Sequence, residues 1–347
     1  MKTFEGFYKG VNLGGWISQF DEYDTNHFET FITEKDIEDI AELGFDHVRV
    51  PVDYIVLEDD KGEPKEDGFR YLESRHAWCR KHGLRMIIDL HECFGYSFDP
   101  LKKDMDRKKF FYDEELQARF LRLWRRIAER FGPYPEEVAF EPLNEVVLYE
   151  VHEAWNKLIT EYIRTVRKFA PGSYIIVGGV CYNSIATVPL LDPPADDKVV
   201  FNFHCYEPHI FTHQGAYWVE NMPSDFRIGY PLPIEEYRAA SEAHDLSQDL
   251  VAAAFADGLG ETGPAFFEAL FAPAIEVAEK YDVPLYCGEY GVIDLAADAD
   301  KIRWLRDIHQ VFKAHGIGHA LWNYKEKDFG FVNEEFANVR REFMECL

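Results

Sequence analysis

Cations are scarce in this chain of 347 residues: 37 Lys and Arg stand against 63 Asp and Glu, a formal net charge of −26. So acidic a surface repels phosphate backbones and anionic membranes, which attract basic patches. The expected partners therefore include no nucleic acid and no membrane. No run of 18 apolar residues occurs, which leaves no candidate for a spanning helix. The opening Met1–Gly10 holds no apolar stretch of signal-peptide type, so the expectation is a protein that stays inside the cell or whose signal has been removed. Cysteine is sparse and scattered: Cys79, Cys93, Cys181, Cys205, Cys287 and Cys346 form no CxxC pair. Neither a structural zinc site nor a disulfide scaffold is indicated, and the thiols are expected reduced, packed as small hydrophobes. Internal repeats, low-complexity stretches and linkers are also missing.

What the chain does have is core: 47% of its residues are hydrophobic and 16% aromatic, too many for a disordered protein. Its length suits two domains or one α/β barrel with insertions. Short β-branched or aromatic runs alternate with stretches of helical period, the pattern of parallel βα units. Eight strand candidates follow one another: 8–13, 46–50, 84–90, 138–141, 174–178, 199–203, 285–287 and 319–322. Between them, Thr33-Glu34-Lys35-Asp36 reads as a capping box that opens a helix ending at Gly44. Apolar stripes predict further helices over 114–131, 151–170 and 299–314, each followed by Gly or Pro-Gly. Eight strands with intervening helices predict a (β/α)8 TIM barrel, one domain over 1–347. One connection is too long. From His204 to Leu285 the chain runs through a predicted insertion, about 217–267, after strand six. It is expected to form a partly helical subdomain on the active-site face, with helices near Ile234–Ala243 and Asp249–Phe255.

Reading just past each strand gives polar and aromatic residues where barrel ends would otherwise be apolar: Arg49, His91 with Glu92, Asn144-Glu145, His204-Cys205-Tyr206, Glu289-Tyr290 and Trp322. Several such groups converging on one rim are costly as packing, because unpaired buried charge is unfavourable. Glu145 and Glu289 end strands four and seven, on opposite sides of the mouth. A retaining glycosidase needs two carboxyl groups about 5–5.5 Å apart and an inverting one about 6.5–9.5 Å; facing strand ends suit the shorter gap. The plainer reading is that the glutamates pair with Arg49 and hold the barrel closed. His204, His209 and His213 invite a metal reading, but strand one offers Asn12 without His-x-His and strand eight offers Trp322 without Asp. No metal and no cofactor are expected. Trp16, Phe94, Tyr96, Tyr217 and Trp218 are candidates for stacking on sugar faces, with ordinary packing as the alternative.

These residues sit in motifs that resemble glycoside hydrolase family 5. They are Gly10-Val11-Asn12-Leu13-Gly14-Gly15-Trp16, Asp46–Pro51 around Arg49, Asp89-Leu90-His91, Leu143-Asn144-Glu145, Asn202–Tyr206, Gly288–Gly291 and Ala320–Lys325. The resemblance spans nearly the whole chain. It implies a retaining endo-β-1,4-glucanase acting on a β-glucan polysaccharide or oligosaccharide, and a monomer is expected. On matching positions, Glu145 would be the acid/base and Glu289 the nucleophile. Asn144 would bind the sugar 2-hydroxyl, Arg49 would keep Glu289 ionised and Tyr206 would orient it. His91 and His204 would line the cleavage subsite and Trp322 would form its platform. Two positions depart from common family patterns: Val146 follows Glu145 where many members have Pro, and Glu92 stands where some have a second His, either raising the pKa of Glu145 or defining a subsite. The same motifs would also serve a mixed-linkage β-1,3-1,4-glucanase, a β-mannanase or an exo-acting β-glucosidase. A carbohydrate-binding protein without turnover is the alternative from another class.

Overall fold

Eight parallel strands close on themselves in a computed structural model that describes residues 1–246 and 260–345. They are β1 (Lys9–Asn12), β2 (His47–Asp53), β3 (Arg85–Glu92), β4 (Val138–Glu141), β5 (Ile175–Gly178), β6 (Val199–Cys205), β7 (Leu285–Tyr290) and β8 (Gly318–Leu321). Each pairs in parallel with its neighbours in chain order, and β1 pairs with β8. Parallel strands are covered on both faces, and nearly every strand residue here is buried.

The helical stripes fall where the apolar spacing puts them. Thr33 caps the helix Glu34–Glu42, with the Thr33 side chain and Asp36 completing the reciprocal box. Helix Glu114–Phe131 buries Phe120, Leu123, Trp124, Ile127 and Phe131. Helix His152–Val166 buries Trp155, Leu158, Ile159, Tyr162 and Val166. Helix Asp298–His315 ends on Gly316, whose φ of 65° lies in the left-handed region that glycine adopts readily. Between β6 and β7, the helix Ile234–Ala243 forms as predicted and Pro264–Tyr281 packs back on the barrel. The expected helix over 249–255 and Cys346 lie outside the described residues. Cys79, Cys93, Cys205 and Cys287 are buried and Cys181 half-buried, all free. Burial pushes the Cys79 thiol up to about 12.

Inside the barrel, alternation stacks chemistry in layers. Ile87, Ala139, Ile176, Val200, Tyr286 and Ala320 form an apolar layer that Phe4 and Phe7 plug from below. Two residues further along three of these strands stand Asp89, Glu141 and Asn202, because successive inward positions are two apart. The apolar floor therefore carries a polar layer at the C-terminal end. Strand β7 reaches that layer through an irregularity. Asn202 pairs with Tyr286 and Phe203 with Cys287, but His204 pairs with Glu289. Gly288 is the extra residue, and this shift turns Glu289 rather than its neighbour inward. Only glycine fits there, since a Cβ would meet Asn202 Oδ1 at 2.8 Å and His204 Nε2 at 3.2 Å.

Candidate active site

Four of the predicted site residues are not past their strands but within them. β3, β6 and β7 run further than the apolar pattern suggested, so His91, His204 and Glu289 are strand residues, as is Arg49, which falls inside the 46–50 candidate itself. Parallel pairing continues through the polar layer, where hydrophobicity stops being a guide. Asn144, Glu145, Tyr206 and Trp322 do lie just beyond strand ends. All eight come together at one mouth.

Arg49 is the hub, fully buried. Its guanidinium donates from Nε and Nη2 to Glu141 at 2.7 and 3.0 Å, and from Nη1 to Glu289 Oε1 at 2.8 Å. Nη1 also reaches Asn12 Oδ1 at 2.9 Å, while Nη2 meets Asn144 Oδ1 at 2.9 Å and Asp89 at 3.0 Å. Burial works against its charge, but Asp89, Glu141 and Glu289 outweigh that and hold it above the ordinary arginine value. The sequence motifs include Asp89 but assign a role to neither Asp89 nor Glu141. Burial, opposed by Arg49, pushes both up to about 7.

The two glutamates meet as the strand-end argument requires. One carboxylate oxygen of Glu145, one of Glu289 and a ring nitrogen of His204 lie within 4.8 Å of one another. Tyr206 Oη donates to Glu289 Oε2 at 3.0 Å. Burial, then the charge of Glu289, holds the phenol well above its usual pKa, so it keeps its proton. Burial raises both carboxyls. At Glu145 the neighbouring Glu289 charge adds to burial and drives it well above the usual range. At Glu289, Arg49 and then His91 oppose burial. Arg49 thus favours the ionised form of Glu289, as the motif implies, but burial outweighs it and leaves the carboxyl above its ordinary value. The order between the pair survives: Glu289 ionises first and Glu145 keeps its proton.

Around them the polar groups are arranged with little freedom. Burial drives the His204 pKa well below normal. Its Nδ1 lies 2.9 Å from Glu145 Oε1 and its Nε2 3.4 Å from Asn183 Nδ2. With Asn183 donating to Nε2, Nδ1 carries the proton and donates to Glu145. That protonated nitrogen is the one nearest both carboxylates, 2.9 Å from Glu145 Oε1 and 3.7 Å from Glu289 Oε2. His209 and His213 stack on each other at 4.0 Å, away from the trio. Asn144 Oδ1 is taken by Arg49, which leaves its NH2 as donor. His91, its pKa pushed down to about 4 by burial, stacks parallel to Trp322 at 5.9 Å. Gly14 makes room for that tryptophan, whose ring lies 2.6 Å from where a Cβ would be.

Several aromatic candidates resolve differently. Trp16 is core: its indole donates to Phe28 O at 2.7 Å, with the Arg75 guanidinium 4.6 Å from its ring centre. Half-buried Phe94 packs under Arg119 at 3.6 Å. Tyr96 is buried, donating to Glu145 O at 2.7 Å and accepting from Val147 N at 2.9 Å. It staples the peptide that carries Glu145, a role that nothing in its sequence context signals. Tyr96→Phe removes both bonds at constant shape, and kcat is expected to fall about tenfold with oligosaccharide KM little changed, the scale of a supporting interaction. Steady-state kinetics on a soluble β-glucan check it. Glu92 is bound to Ser97 and Lys102, the latter at 2.7 Å. After burial it is the largest influence on Asp53, across from it on β2, and it does not figure among the main influences on Glu145.

Comparison with known proteins agrees with this geometry. Residues 9–328 match the family model for cellulase, glycosyl hydrolase family 5. The chain is 40% identical over 347 residues to endoglucanase C of Acetivibrio thermocellus, covering 98% of each. It is 41% identical over 317 residues to cellodextrinase A of Ruminococcus flavefaciens, covering 91% of this chain and 85% of that one. The crystal structure of endoglucanase Cel5A from Thermotoga maritima shares the fold, with a TM-score of 0.72 at 24% identity over 98% of this chain and 97% of that one. No described helix is long and apolar enough to cross a membrane. With the barrel, the paired glutamates and near-full-length relatives in agreement, the chain belongs to glycoside hydrolase family 5.

Proposed function

We propose that this protein is a retaining endo-β-1,4-glucanase that cleaves β-glucan by double displacement. The observation that carries the reading is the approach of a Glu145 and a Glu289 carboxylate oxygen to within 4.8 Å, which suits the short carboxyl separation of a retaining enzyme better than the wider gap of an inverting one. Glu289 is the nucleophile: its carboxylate attacks the anomeric carbon while Glu145 delivers its proton to the departing glycosidic oxygen. The ester bond that forms removes the charge of Glu289, and with it the main charge neighbour holding the proton on Glu145. Glu145 then takes a proton from water, whose oxygen attacks the anomeric carbon and frees Glu289. Two inversions give net retention. Asn144 donates to the sugar 2-hydroxyl, and Trp322 with His91 and His204 forms the walls of the cleavage subsite. The chain is read as a single catalytic domain in which residues 217–233, between β6 and helix Ile234–Ala243, border the cleft.

The test is a product analysis on carboxymethylcellulose, lichenan, laminarin and mannan, with the anomer released followed by NMR. Fast thinning of carboxymethylcellulose with the β-anomer appearing first is expected. An α-anomer first, or preference for mannan or laminarin, overturns the reading.

The split between the carboxyls also sets the pH profile. Glu145 must be protonated, so kcat/KM falls as pH rises through its elevated pKa. Glu145→Gln cannot titrate. On an aryl cellobioside whose leaving group needs no proton, that alkaline limb is expected to vanish, and the glycosyl-enzyme accumulates because no base activates water. On polymer, where the leaving group does need the proton, activity falls by about 10²–10⁴-fold. A pH series with both substrates checks the assignment.

A further inference from the structure

The loops that follow β3 and β6 touch each other. Lys103 Nζ, eleven residues past the end of β3, lies 3.5 Å from Glu220 Oε1, on the segment between β6 and helix Ile234–Ala243. The two side chains are 72% and 79% exposed. In a closed ring of eight staves, β3 and β6 stand three apart, so a link between their loops crosses the mouth. It leaves β4, with Glu145 beyond it, on one side and β7, with Glu289, on the other. The β6 segment leans further over the opening. Trp218 contacts Phe329, from the chain beyond β8, at 6.5 Å and His213 at 6.0 Å. The Tyr217 phenol lies in the field of Asp328, Asp21 and Asp99, which follow β8, β1 and β3. From the other side, Phe98 packs edge-on against His91 at 4.8 Å. Leu101 and Tyr217, both exposed, add apolar surface on either side of the ion pair.

We infer that the Lys103–Glu220 pair is a strap across the cleft that determines which substrates enter: closed, it admits chain ends and short β-1,4-gluco-oligosaccharides by threading, and interior attack on a long glucan requires it to open. This rests on the glucanase reading above. The strap is weakly held. An exposed ion pair is weak and screened by salt, so the closed and open forms exchange readily and the same enzyme serves both kinds of substrate. Each residue looks like an ordinary solvated charge in sequence. Only their juxtaposition, which joins the β3 and β6 loops, gives them a role in specificity.

The test locks the strap. In the full chain, Lys103→Cys with Glu220→Cys is joined by a short bismaleimide, with each single-cysteine variant treated alike as control. Cellotetraose hydrolysis is expected to stay within about twofold, while viscosity loss of carboxymethylcellulose falls about tenfold or more, the range in which closure limits turnover. Charge reversal gives the opposite sign. Lys103→Glu should raise the ratio of viscosity loss to reducing ends about two- to fivefold, and adding Glu220→Lys should restore it. A cross-linked enzyme that thins polymer as fast as the unlinked one overturns the strap, as does one that loses both activities together. If wild type and variants alike fail on cellotetraose, it is the glucanase reading that falls, a result distinguishable from either of these.

Discussion

Glu289→Ala is expected to lower β-1,4-glucan turnover by on the order of 10⁴-fold or more, the scale on which loss of a covalent nucleophile is felt, while glucan oligosaccharides still bind. Binding is expected to survive because the proposed walls of the subsite are other residues: Trp322, His91, His204 and Asn144. Truncation leaves Tyr206 and Arg49 each without one partner, yet Arg49 keeps Asp89 and Glu141, so the polar layer stays neutralised and the fold holds. The sharpest check is chemical. With a small anion such as azide supplied in place of the carboxylate, an aryl cellobioside should react in one inversion and give the α-glycosyl azide. In Glu145→Ala the nucleophile is still present, so azide intercepts the glycosyl-enzyme and the β-azide forms. Turnover in Glu289→Ala near the wild-type rate, or a β-azide from it, would remove Glu289 from the role.

The barrel and this pair were legible for a common reason: each strand is a short apolar run that ends where polar residues begin, and catalytic groups sit at that boundary. The limits of legibility have the same origin. His91, His204 and Glu289 lie past the apolar signal but still inside paired strands, so pattern alone ended those strands early. Asp89 and Glu141 occupy inward positions two residues beyond Ile87 and Ala139, and a hydrophobic pattern cannot show that a charge on that face has a buried partner. Glu289 is out of phase with Tyr286, and only the extra residue at Gly288 brings it inward; nothing in a hydrophobic pattern reports such a shift. Trp16 and Tyr96 were ambiguous because an aromatic ring suits both a sugar face and a core. Lys103 and Glu220 are 117 residues apart, a contact that only the closed ring creates.

Arg49→Lys is the second change with a large expected effect, and it joins stability to chemistry. The guanidinium serves three carboxylates and two amide oxygens at once from a rigid fork. An ammonium is a point charge with three donors and cannot span Glu141, Glu289 and Asp89 together. Leaving buried carboxylates without their partner costs about 3–5 kcal/mol, so a clear fall in Tm is expected. The pH dependence follows from proton linkage. In the wild type, Asp89 and Glu141 are pushed up to about 7, above their unfolded values of 3.8 and 4.5. Between those limits the folded protein binds more protons, and stability declines as pH rises toward 7. Weakening the compensating charge raises both carboxyls further and extends the decline to higher pH. The Tm deficit of Arg49→Lys should therefore be smaller at pH 5 than at pH 8. Catalysis moves in step: Glu289 needs a higher pH to ionise, so the acidic limb of kcat/KM shifts upward and activity at neutral pH falls about 10²-fold or more, as expected when a nucleophile's charge is lost with its positioning. Calorimetry at the two pH values, with a pH–rate profile on an aryl cellobioside, decides the matter. An unshifted acidic limb together with a pH-independent Tm deficit would mean that Arg49 only fills space.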